Sequence, residues 1–313
     1  MLRVPSSGIE RSQSFLTQHG TRKSSMSLID FILNLAGLLL WLNWRTLPFD
    51  PLSKATPATL IGTLRRAEPT RYQRWHFATA LGVLLLLRAC FYRLTGPAVD
   101  WTGTLNLVAT RLAFRSDSFS FMLLYSTLSF GLMLGIFILW LLLLSMLAPG
   151  GSENQLLLRL GRAHLGFVIG WPAWRKLLLP FLAGLVLWWL LSWPLARWDL
   201  IPRPVSETSR LTQSALVGLS TYFALKYLIV ALLAAYLLHN YLYFGRHVIW
   251  NFVDETARRL LGPLRLLRVG KVDLAPLAGI VLVSLFAQFA EHGVRAPMQF
   301  DINGRPEPPA WEI

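Results

Sequence analysis

Six apolar runs, each long enough to cross a bilayer, constrain this chain more than any other feature. They are Leu28–Trp44, Phe77–Leu94, Phe119–Leu147, Leu177–Trp193, Ala215–Phe244 and Leu274–Ala290. The four shorter runs hold 17 to 18 residues, the low end of what about 30 Å of hydrocarbon requires of a helix. The two long ones must tilt or project into the headgroups. None shows the strict in-and-out alternation of a membrane barrel strand, so helices are the spanning structure predicted. The fold class expected is an all-α membrane protein of about six transmembrane helices, arranged as three helical hairpins with interfacial amphipathic segments.

Composition agrees. Only 15% of the residues are charged and 54% are apolar, against about a quarter charged in an ordinary soluble domain. Thirteen tryptophans suit a chain with many membrane–water boundaries, where amphipathic rings collect. The net charge of +14 would point to nucleic acid in a soluble protein. Here the arginines lie in short stretches between apolar runs and read as topology signals and headgroup contacts. The partners expected are therefore the lipid bilayer and other membrane proteins or a second copy of the chain, with no nucleic acid. The single cysteine, Cys90, excludes an intrachain disulfide, and its apolar surroundings predict a packed, unreactive thiol.

The domain organisation follows from the runs. Residues 1–26 form a polar extension, 27–96 a first hairpin, 97–195 a second, 196–292 a third, and 293–313 a tail. The tail contains Pro306, Pro308 and Pro309 with no apolar period, which predicts disorder. Met1–Ser25 carries four basic residues, one acid and eight Ser or Thr. A transit peptide has that composition. A disordered extension, or a chain that naturally starts at Met26, is the reading preferred over a transit peptide.

Basic residues set the expected orientation. The loops inside the three hairpins hold 16 Lys and Arg, while the other connections and both tails hold 12, or 8 without the N-terminal extension. The positive-inside rule then places the hairpin loops in the cytoplasm and both termini outside. The hairpins also look like copies of one another. Residues 180–187 read PFLAGLVL and residues 276–282 read PLAGIVL, about 95 positions apart. Repeats of this kind frame a binding site in some transporters, although repetition alone does not imply transport.

The most informative stretch is 254–288. Leu260, Leu261, Leu264 and Leu267 fall on one side of a helix, with Arg258 and Arg265 largely on another, the pattern of a short helix lying in the interface. Pro263 should interrupt it. Asp273 can cap the last span, and Pro276 suits a first turn because no donor is needed there. The run Glu255, Pro263-Leu264-Arg265 and Asp273-Leu274-Ala275-Pro276 ahead of an apolar span resembles the YggT family. That family's repeat joins an apolar helix to an arginine-rich segment with a Pro-hydrophobic-Arg element and an Asp-Leu-Ser-Pro-like start to the next helix. Departures are the alanine at position 275 in place of serine, and only Arg246 and Trp250 as counterparts of the arginine and Ser-Trp that end the preceding family helix. The resemblance implies a bacterial inner-membrane or chloroplast-type protein linked to membrane organisation, cofactor assembly or osmotic tolerance, and no defined reaction.

Polar residues inside the spans are the remaining places to look. Arg88, Lys226, Asp30 and Asn34 lie within apolar runs, and charge in lipid marks function by default because it is costly. Arg88 and Lys226 are also placed where each could snorkel to the outer interface, and Asp30 could pair with Arg88 or Arg93. His76, His164, His239 and His247 sit at span ends without ligand spacing for a metal or haem, so interfacial roles are expected. Gly131 and Gly135 form one GxxxG, a possible close-packing face. No catalytic triad or phosphate loop is present, and no enzyme activity, cofactor or metal is expected. Two function classes follow: a non-enzymatic scaffold or assembly factor, and a small-solute or ion transporter built on the repeat interface.

Overall fold

The computed structural model describes residues 7–46, 74–99, 101–147, 161, 163–201, 206–242, 248–262, 264, 268–269 and 272–295. The membrane elements are helices α1 (Ser7–Thr46), α2 (Arg74–Thr95), α3 (Phe119–Leu147), α4 (Ala173–Arg197), α5 (Glu207–Ser220), α6 (Leu225–Tyr241) and α8 (Ala275–Arg295). Between them lie a hairpin of β1 (Gly103–Leu107) and β2 (Thr110–Phe114), the amphipathic helix α7 (Val248–Leu260), and short strands β3 (Arg268–Val269) and β4 (Val272–Asp273). Among the described residues six segments are long and apolar enough to cross a membrane, at the positions the hydropathy predicts. The protein is thus a mostly helical multi-pass membrane protein.

Two compact units are distinguished, Met1–Thr104 with Ala113–Leu134, and Leu105–Leu112 with Gly135–Ile313. In the first, α1 packs along α2. Gly37 of α1 lets the two helices and the Phe130 ring meet, since a Cβ there would stand 3.0 Å from that ring. The β hairpin was not foreseen, although its sequence alternates: Gly103 and Leu105 on one strand, and Leu112 and Phe114 on the other, are buried, while Asn106, Arg111 and Ala113 face out. Its turn forces Val108 to a φ of 22°, a strained position for a β-branched residue.

In the second unit the fifth span is not one helix. Ser206 caps α5 by accepting from the Ser209 amide at 3.1 Å, and a 3₁₀ turn over Thr221–Ala224 joins α5 to α6. Ser220 and Thr221 donate their hydroxyls to carbonyls three residues back, each at 2.7 Å, a back-bonding that bends helices. The 35 residues from Glu207 to Tyr241 would be about 52 Å long if straight, well beyond the hydrocarbon thickness. Helix α4 packs along α5, and α8 along α6. The α4–α5 contact is backbone-close: a Cβ on Gly184 would lie 3.0 Å from the Gly218 Cα, and one on Gly218 would lie 2.7 Å from the Phe181 carbonyl oxygen. Gly279 plays the same part for α8, with Leu233 of α6 seated against it. The glycines of the two matching sequence stretches therefore both receive a partner helix.

Several expectations need correction. The polar extension is helical from Ser7 onward and runs into the first span without a break. No proline lies between Pro5 and Pro48, so a helix nucleated in the apolar run can propagate backwards. Cys90 is exposed on the outer side of α2, not packed, because the buried face of that helix is taken by Arg88, Ala89 and Tyr92. Gly131 and Gly135 meet nothing within 4 Å; close packing is carried by Gly37, Gly184, Gly218 and Gly279 instead. The expected tail lies outside the described residues from position 296.

Candidate functional site

The first unit buries a charge. Asp30 and Asn34 stand one helical turn apart on α1, Arg88 and Tyr92 one turn apart on α2, and Ser129 projects from α3; this i, i+4 spacing puts each pair on one face. Arg88 is only 2% exposed. Its Nη2 donates to Asp30 Oδ1 at 2.5 Å and to Ser129 Oγ at 2.9 Å, its Nη1 to Asn34 Oδ1 at 2.7 Å, and its Nε to the Tyr92 hydroxyl at 3.1 Å. Tyr92 donates onward to Asp30 Oδ1 at 2.7 Å. Asn34 Nδ2 donates to Ser129 Oγ at 2.9 Å. Every nitrogen of the guanidinium is thereby engaged, and the carboxylate that neutralises it is held by further donors.

This corrects the snorkelling reading of Arg88. A side chain that reached for the interface would be exposed at its tip, whereas this one turns inward because α1 and α3 offer it an anion and two neutral oxygens, and Tyr92 of its own helix a third. Asp30 selects Arg88 over Arg93, which is exposed. An aromatic layer covers the cluster on one side: Tyr92, Trp101, Tyr125 and Phe114 pack with ring centroids 4.8 to 5.8 Å apart. The Arg88 guanidinium lies 5.4 Å from the Tyr92 ring centroid and 5.8 Å from that of Tyr125, a further contribution to holding a desolvated cation. Gly103, the first residue of β1, lies directly against the Tyr125 ring.

The second unit treats its charges differently. Lys226, second residue of α6, pairs with Glu291 near the end of α8. Its side chain retains 22% exposure and that of Glu291 13%. Glu291 lies one position past the last apolar run, which is why the sequence did not bring it forward as a partner. Arg210, counted as a loop cation, in fact folds against α4: it donates to Ser192 Oγ at 2.9 Å and to the Trp189 carbonyl at 2.5 Å, with its guanidinium 4.6 Å from the Trp189 ring. At the far end of α6, His239 stacks on Trp250 of α7 at 5.1 Å and approaches Asp254 at 3.5 Å.

The family-like segment is brought together only in part. Pro276 is fully buried in the first turn of α8, and Arg258 is on the exposed side of α7. Asp273 ends β4 in register with Arg268, and α8 begins at Ala275, one residue later than a cap by Asp273 requires. Pro263 and Arg265 lie outside the described residues. The amphipathic helix itself is present, shifted toward Val248, and buries Phe252, Ala257 and Leu261. Ala257 and Leu261 join Leu233 of α6 and Ala275 of α8 in one apolar cluster. Among the described residues no group of three or more His, Cys, Asp or Glu could hold a metal ion. No known protein family, curated protein or solved structure matches the chain.

Proposed function

We propose that the chain is a YggT-type membrane protein acting as a non-enzymatic scaffold or assembly factor in the bacterial inner membrane. The single observation that carries this reading is the saturation of Arg88. A transported ion or solute needs polar groups that are free to exchange partners, and here each guanidinium nitrogen, both Asp30 oxygens and the Tyr92 hydroxyl already have partners within the unit. The cluster ties three helices together and offers nothing to a cargo. Three repeated hairpins, with loops in the cytoplasm and termini outside, complete the proposal. It is supported by the arginine distribution and by the paired glycines at 184 and 279.

A transporter using the repeat interface is the second reading, favoured by the 3₁₀ turn at Thr221–Ala224 with Lys226–Glu291 beside it. Broken helices near paired charges are features of transporter binding sites. Isolation of intact complexes from native membranes in a mild detergent separates the two. Under the scaffold reading the protein runs with stoichiometric membrane partners or with itself, and variants of Arg88 lose those partners in proportion to lost folding. Solute or ion flux in proteoliposomes that disappears in a folded Lys226→Met variant would displace it in favour of transport. The orientation is checked separately: in a Cys90-free background, cysteines at Arg66, Asn154 and Glu255 should be shielded from an impermeant thiol reagent in intact cells. Cysteines at Asp199 and Gly304 should react, and the inverse pattern would reverse the topology.

A further inference from the structure

We propose that the fifth span is a hinge, at which the helix pair α6–α8 swings against the pair α4–α5 about the 3₁₀ turn Thr221–Ala224. The second unit contains two helix pairs that each hold themselves together. Gly184 and Gly218 bring the backbones of α4 and α5 into contact. Leu233 seats α6 on Gly279 of α8, and the Lys226–Glu291 pair ties the same two helices again. Between the pairs, α5 and α8 touch only briefly among the described residues. The fifth span connects one pair to the other, and at the join it gives up α-helical bonding over Thr221–Ala224. A 3₁₀ stretch inside a helix has poorer hydrogen-bond geometry than the turns on either side, and such stretches often mark hinges.

Anchorage changes hands within this turn. The Thr221 γ-methyl lies against Gly184, where a Cβ would stand 3.0 Å from it, and the Tyr222 hydroxyl donates to the Leu177 carbonyl of α4. Both residues therefore belong with α4 and α5. Two residues on, the Ala224 carbonyl accepts the indole N–H of Trp140 from α3 at 3.0 Å, and Lys226 is already paired with α8. The pivot is thus Phe223–Ala224. Ser220 and Thr221 soften it from the α5 side by turning their hydroxyls back onto helix carbonyls, which competes with the backbone ladder. Trp140 is the latch, because its bond is directional and takes up a carbonyl at the pivot itself. Neighbouring contacts of α3 are apolar: Leu144 lies against the α6–α8 cluster, and Leu141 and Leu142 pack with Leu179 of α4. Such packing is non-directional and fixes the angle less tightly.

The test uses the full-length protein in lipid nanodiscs, in a Cys90→Ser background, with pairs of spin labels at the exposed positions Leu182, Leu211, Leu238 and Leu285. Distances from Leu182 to Leu211 report the α4–α5 pair, those from Leu238 to Leu285 the α6–α8 pair, and those from Leu182 to Leu238 the spacing between them. Leu238 sits near the far end of α6, about 20 Å from the turn at the rise of an α-helix, so a swing of about 10° moves it roughly 3–4 Å. Trp140→Phe, which keeps a ring and loses the N–H, should therefore widen the Leu182–Leu238 distribution by roughly 3–4 Å and leave both within-pair distributions unchanged. Adding Ser220→Ala and Thr221→Val removes both hydroxyls while keeping the γ-methyl, and should narrow the distribution again although the latch is still absent. A Leu182–Leu238 distribution as narrow as wild type in the folded Trp140→Phe variant would overturn the hinge. Equal widening within the pairs would overturn it too, because the unit would then be loosening as a whole.

Discussion

The two units bury charge by opposite strategies. Around Arg88 a cation is withdrawn almost completely from its surroundings and held by four partners drawn from three helices. Around Lys226 a cation keeps one carboxylate partner and partial exposure, and the second unit instead relies on glycines that let backbones touch. The difference follows from local sequence. The first unit has Asp30, Asn34, Tyr92 and Ser129 facing inward from its spans, so polar bonding can draw its helices together. Where α4 meets α5 and α6 meets α8 the polar contacts, Arg210 with Ser192 and Trp189 and Lys226 with Glu291, lie toward the helix ends, and small residues provide the closeness between the backbones. Helix association in lipid lacks a hydrophobic drive and uses one or the other device.

Three substitutions sharpen that contrast, in falling order of effect. Asp30→Ala removes the counter-charge from a fully buried guanidinium and should lower the stability of the first unit by about 3–5 kcal/mol, the cost of orphaning a buried ion. Reversible unfolding in mixed micelles measures it, and a loss below that of an ordinary surface pair would mean that water reaches Arg88. Gly218→Ala should be the counterpart in the second unit. Its Cβ would press on a carbonyl oxygen rather than on a flexible side chain, and overpacking of this kind costs about 1–3 kcal/mol. Proteolysis between α4 and α5 should rise while the first unit remains protected. Lys226→Met should be the mildest, about 1 kcal/mol or less as befits a partly solvated single pair. A loss matching that of Asp30→Ala would erase the distinction between the two charge sites.

How much of this could be read from sequence depends on the range of the interaction. The spans were legible because hydropathy is a local property, and the Arg88–Tyr92 and Asp30–Asn34 pairs could be set on common faces by helical periodicity alone. That the two faces meet each other and Ser129 depends on helix rotation and packing between residues 41 to 58 positions apart, which no local pattern fixes. A snorkelling arginine and an Asp30–Arg88 pair were accordingly both open from the sequence, and helix packing decides for the pair. Glu291 was missed by one residue, because an apolar run ends where the first charge appears while the helix continues to Arg295. The bend in the fifth span had a local signal in Ser220-Thr221, but an unbroken apolar run hid it. The β hairpin was similarly legible in its alternation and obscured by the long apolar spans on either side.

The central claim is that the Arg88 cluster is a structural tie between helices rather than a path for a cargo. A double-mutant cycle between Asp30 and Arg88 tests it most directly. Asp30→Leu and Arg88→Met are made singly and together, and unfolding free energies are measured in the same lipid–detergent mixture. Each single variant should lose about 3–5 kcal/mol. The double variant should be more stable than either, because replacing both buried charges with apolar groups leaves nothing orphaned. Losses that simply add, with a coupling under about 0.5 kcal/mol, would contradict the account and return Arg88 to the list of residues whose charge serves something that passes by.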